Sequence, residues 1–170
     1  LTESYSLDFT QAGYHAWTGR MARLMDQEEE AITELVRAVS LDGQNAEYHA
    51  YLGDVVRTAG LSGLYGDPGL HLSKAMELDP SSGLTHFFLG LLYSDLKIYT
   101  EAIRYFDKAI ALNPHIPGLN ESRTETLNQK RLFEESGLAT REWEILTESY
   151  SLDFSQAGYH YWNARMARLM

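Results

Sequence analysis

Apolar residues along this chain fall mostly at helical spacing. In the stretch 99–112, Ala102, Ile103, Phe106, Ala109 and Ile110 return at three- and four-residue steps and share one helix face. Stripes of this kind, separated by turn residues, predict a succession of helices, labelled A and B in alternation. A-type helices are expected over 12–25, 46–58, 83–95, 119–135 and 157–169. B-type helices are expected over 27–41, 68–78, 99–112 and 139–151, with residues 1–9 as the tail of another. The four prolines, at 68, 80, 114 and 117, lie between stripes, which suits long helices joined by short turns. Asp67 and Pro68 are placed to cap and start the helix that follows them. The acidic run from Asp26 to Glu30 opens a B helix, where negative charge suits the helix dipole.

The ends of the chain repeat each other. Residues 1–25 recur at 146–170 with four differences, Thr10/Ser155, Ala16/Tyr161, Thr18/Asn163 and Gly19/Ala164. A unit of 145 residues is therefore duplicated in part. A shorter period runs inside it. Segment 83–116 carries Leu89, Gly90, Tyr93, Ala102, Phe106, Ala109 and Pro114. In this order and spacing they resemble the tetratricopeptide repeat, a helix-turn-helix of about 34 residues. Small residues let its two antiparallel helices approach, and large ones fill the space between them. His86 departs from the pattern, which has a large side chain at that position.

The flanking segments fit the same frame. Residues 12–45 offer Gly19, Ala31, Leu35 and Ala38. Residues 46–82 offer Leu52, Gly53, Val56, Leu72, Ala75 and Pro80, with extra residues in the Gly-rich loop 61–70. Residues 117–156 form a degenerate repeat, with Lys130 and Glu142 where small residues belong. Residues 1–11 are a partial repeat and 157–170 an orphan A helix copying 12–25. The resemblance implies an all-α fold, an α-solenoid of stacked antiparallel helix pairs wound as a right-handed superhelix. It implies a protein-interaction scaffold that binds a peptide or protein partner in a concave groove, with no cofactor.

Composition narrows the chemistry. There is no Cys, so disulfides, thiol nucleophiles and Cys-based zinc sites are excluded. The net charge of −10 argues against a general nucleic-acid binder. No run of about 18 apolar residues marks a membrane span. The first residues do not read as a signal peptide, and cytoplasmic location is expected over secretion. The chain starts without Met, as an excerpt of a longer array would. No nucleophile, zinc-protease or phosphate-loop motif occurs, so the chain is not expected to be an enzyme.

Four His residues, His15, His49, His86 and His160, share one repeat position. Matched positions in stacked helices lie about 10 Å apart, whereas metal ligation needs nitrogens about 2 Å from one ion. They are expected to pack in place of the usual large side chain, and no metal site is expected. The resemblance places the groove on the A helices. The residues it assigns to partner contact are Arg20, Arg23, Asp54, Arg57, Leu84, Phe87, Leu91, Asp95 and Arg131. With Arg165 and Arg168 of the last A helix, six Arg fall on this face although the chain is acidic, so a partner with acidic and apolar groups is expected. The Lys/Asn pattern of the chaperone-tail clamp is missing. Two further readings stay open. The chain could self-assemble head to tail, or swap domains, through Tyr159, Trp162, Met166 and Leu169 of its last helix. It could also recruit substrate for a larger enzyme.

Overall fold

The structure, a computed structural model, describes residues 11–60 and 65–135. Seven helices and no strand occur among them: α1 (Gln11–Leu24), α2 (Glu28–Leu41), α3 (Ala46–Ala59), α4 (Pro68–Leu78), α5 (Gly83–Asp95), α6 (Tyr99–Leu112) and α7 (Leu119–Glu135). The last four have the bounds that patterning predicts, and the first three agree to within one residue. The expected helices at 139–151 and 157–169, and the tail at 1–9, lie outside the described residues. The chain forms two compact units, one reaching Pro80 and one beginning at Ser81.

The caps are local chemistry. Asp67 accepts from Gly69 N at 2.7 Å with Pro68 in the first turn of α4. Asn45 accepts from the amides of Glu47 and Tyr48 and starts α3. Ser82 accepts from Thr85 N and starts α5. These side chains take up amides that have no partner inside the helix.

Three A helices, α1, α3 and α5, reach their B helices through a residue in the left-handed region: Asp26 (φ 57°), Gly60 (φ 65°) and Lys97 (φ 61°). Only the middle one is glycine. The other two carry a cost of about 1–2 kcal/mol, which the packing of the joined helices has to outweigh.

In the first unit α1 pairs with α2, α2 with α3, and α3 with α4; in the second α5 pairs with α6 and α6 with α7. The A–B pairs share one device. A Cβ at Gly19 would lie 2.7 Å from Leu35 Cγ, at Gly53 2.8 Å from Leu72 Cγ, and at Gly90 2.5 Å from Phe106 Cε1. Each glycine is a socket for the large residue opposite. Ala31, Ala38, Ala75, Ala102 and Ala109 are fully buried and complete the close approach. Between pairs, Ile32 and Leu35 of α2 cluster with Leu52, Val55 and Val56 of α3, while Ala38 clusters with Tyr48. The degenerate helix α7 has thinner anchoring. Leu119 and Thr126 are buried, Thr126 shares a 2.9 Å hydroxyl hydrogen bond with Ser94, and Leu127 and Leu132 are exposed.

Candidate functional site

The densest polar arrangement in the first unit joins α1 and α3. Arg20 and Arg23 lie one turn apart on α1, and Asp54 and Arg57 one turn apart on α3. The Asp54 side chain is fully buried. Its Oδ1 accepts from Arg57 Nη2 at 2.8 Å and Nε at 3.3 Å. Arg23 Nη2 pairs with its other oxygen. The arginine side chains keep 30% and 13% of their exposure, so one buried carboxylate fixes two guanidinium groups whose edges still reach water. Arg20 donates to Glu47 at 3.0 Å, and its guanidinium lies 4.4 Å from the Tyr51 ring centre. Burial pushes the Tyr51 phenol above its ordinary pKa, with Arg20 pulling the other way. Three cations thus face two carboxylates around one aromatic ring, leaving local positive charge on an acidic chain. Such a surface can hold a carboxylate bidentately and stack on planar groups.

In the second unit Leu84, Leu91 and Asp95 fall on one face of α5. Leu84 and Leu91 are half-buried and Asp95 is exposed. Phe87 is 7% exposed, with its ring 6.0 Å from Phe106 and 5.7 Å from Phe88, so it is chiefly packing. Arg131 on α7 is exposed and lies 3.9 Å from Glu135. The structure therefore brings Arg20, Arg23, Asp54 and Arg57 into one cluster and keeps Arg131 in a separate pair. Tyr159, Trp162, Met166 and Leu169 lie outside the described residues.

Tyr51 is the member of this cluster that sequence reasoning missed. Its signal was its place one turn after Glu47 on a helix whose neighbour presents Arg20.

The three described histidines of the shared repeat position each meet a different group. His15 Nδ1 meets Glu34 at 2.6 Å. His86 Nδ1 donates to the Ser82 carbonyl at 2.9 Å. His49 Nε2 donates to the Gly43 carbonyl and its ring stacks on His71, with centroids 6.1 Å apart. Among the described residues no three His, Asp or Glu side chains converge as a metal site, and no helix is long and apolar enough to cross a membrane.

The burial of His71 makes stability depend on pH. Burial holds the His71 imidazole below its ordinary value of 6.5, helped by His49 and opposed by the hydrogen bond to the Tyr65 carbonyl. The unfolded chain then binds the proton more readily than the folded one. Stability is complete above pH 6.5 and falls as the pH drops from there toward the folded-state value. Urea midpoints are expected to be lower near ~pH 5.5 than near ~pH 7.5, and His71→Gln is expected to shrink that difference. An equal difference in the variant would show that His71 is not its source.

The tetratricopeptide-repeat family pattern matches residues 84–116. No curated protein matches the chain in sequence. Solved structures similar to it include the Arabidopsis OM64 TPR domain (19% identity, TM-score 0.59, 69% of this chain and 95% of that one). The first TPR domain of human RPAP3 is 14% identical, with a TM-score of 0.63 over 74% of this chain and 97% of that one. The first TPR of Spaghetti (RPAP3), solved with the HSP90 peptide SRMEEVD, is 14% identical, with a TM-score of 0.60 over 69% and 94%. At these identities the likeness is one of fold.

Proposed function

Since this chain is a tetratricopeptide-repeat protein, we propose that it works by holding another polypeptide on the face of its A helices. The Spaghetti domain that shares its fold binds a peptide, SRMEEVD, which is rich in acidic residues. The observation that carries the reading here is the buried Asp54 fixing Arg23 and Arg57 beside the Arg20–Tyr51 stack. A carboxylate arriving at this surface would meet guanidinium groups already oriented, so little side-chain entropy is lost on binding. The ligand class is a segment with at least one acidic group and one apolar side chain. The acidic group would sit at Arg20, Arg23 and Arg57. In the second unit by itself, Leu84, Leu91 and Asp95 of α5 and Arg131 of α7 are the assigned contact residues that keep an exposed surface, while Phe87 is taken up by packing. No catalysis is assigned to them.

Arg20→Glu tests the proposal without touching Asp54, because Arg20 is exposed and pairs with Glu47 instead. On an array of peptides varying in acidic and apolar content, the wild type is expected to prefer acidic-apolar members. The variant is expected to lose about tenfold or more in affinity for them, since hydrogen bonds to charged groups contribute about 1.5–3 kcal/mol. A folded Arg20→Glu protein that captures the same peptides equally well would sink the reading.

A further inference from the structure

The two carboxylates of the α1–α3 cluster differ in how firmly they are held. The Asp54 side chain is fully buried and paired with both Arg23 and Arg57. Glu47 stands at the rim. It lies in the first turn of α3 and reaches across to Arg20 Nη1 of α1 at 3.0 Å. Its side chain keeps 51% of its exposure and that of Arg20 44%. An exposed pair of this kind contributes little to stability, because water competes for both partners. Asp54 is therefore part of the scaffold, whereas Glu47 is a carboxylate that competes with any other arriving at Arg20. A first-turn acidic residue suits the helix dipole whichever way its side chain points. This one also closes on the guanidinium that lies over the Tyr51 ring.

Spacing sets the consequence. From Glu47 to Asp54 is about 10 Å along α3, and an extended peptide covers about 10 Å in three residues. Arg20, Glu47, Arg23 and Asp54 all act on the Tyr51 phenol, so these charges form one continuous patch. A ligand whose first acidic group meets Arg23 and Arg57 brings a second one, three residues away, to Arg20. That second group finds Arg20 already paired, with Glu47 beside it as a like charge.

Resting on the reading of this surface as a site for acidic segments, we propose that Glu47 is a specificity-determining residue. By occupying Arg20 it selects segments with a single acidic group over segments with a second acidic group three residues away. Discrimination of this sort comes from a repulsive element built into the surface rather than from an added attraction.

Three amidated peptides test this. Each carries one Leu and one Glu, and two of them carry a further Glu three residues before or after the first. Their dissociation constants are measured by fluorescence anisotropy on the 170-residue protein and its variants. On the wild type the second Glu is expected to change affinity by less than about twofold. On Glu47→Gln it is expected to tighten binding about fivefold in one of the two placements, the upper end for an exposed ion pair. Glu47→Ala is expected to act as Glu47→Gln does. Glu28→Gln, at an exposed position in the first turn of α2, makes the same change in net charge and is expected to behave as the wild type. The inference is overturned if the second Glu acts by the same factor on wild type and Glu47→Gln, including the case in which neither binds. It is equally overturned if Glu28→Gln gives the same gain, which would mark a general charge effect. Arg20→Glu with the single-Glu peptide separates the two readings. If that variant loses affinity while the second Glu acts equally on wild type and Glu47→Gln, the acidic site stands and only the role of Glu47 falls. Unchanged affinity removes the site and the inference with it.

Discussion

Asp54→Ala is expected to cost the first unit about 3–5 kcal/mol, the loss typical when one partner of a buried ion pair is removed. The Asp54 side chain is fully buried and paired with both Arg23 and Arg57. Without it, two partly buried guanidinium groups face each other with no counter-charge. Desolvated cations that repel each other are worse than the original cluster and worse than an apolar one. Urea unfolding followed by circular dichroism measures the loss. With a slope of about 2 kcal/mol per molar, the midpoint moves by about 2 M. The triple replacement Asp54→Ala/Arg23→Met/Arg57→Met is expected to recover most of the loss, because it removes the charges together. A single-variant cost below about 1 kcal/mol would show that the carboxylate is not what holds the arginines in place.

Phe106→Ala is expected to cost the second unit about 3–5 kcal/mol, by lost burial plus the cavity left behind. Phe106 is fully buried, with its ring over Gly90 and 6.0 Å from Phe87. Gly90→Ala attacks the same contact from the other side. Its new Cβ would lie 2.5, 2.6 and 3.0 Å from three ring atoms. The ring must shift inside a filled core, at about 1–3 kcal/mol. The double variant is the sharper measurement. With the ring gone, the added methyl enters the cavity, so the two losses are expected to fall short of additivity by about 0.5–3 kcal/mol. Simple additivity would mean that Gly90 and Phe106 do not share a contact.

The helices were legible because their signals are local. Asp67 caps an amide of its own first turn beside Pro68, and the stripe of α6 needs no partner to be recognised. Gly19, Gly53 and Gly90 were legible as positions of close helix approach, but that Leu35, Leu72 and Phe106 are the side chains seated on them came from the structure. The site was legible only as a face. Arg20, Arg23 and Arg57 could be assigned to it from the frame, but the frame does not say how deep a side chain lies or which neighbour it meets.

What the sequence determined by itself is where each described helix starts and stops and which positions must be small for two helices to approach. Both follow from backbone periodicity and from contacts within one helix pair. What only the tertiary structure decided is that Asp54 is sealed under two arginines, that Arg20 lies on Tyr51, that Phe87 belongs to the packing, and that His49 meets His71. Those outcomes depend on the rotation and offset of α1 against α3, α3 against α4 and α5 against α6. A shift of a few ångströms between two helix axes leaves every periodicity intact, yet it changes which charges touch and which groups lose their water.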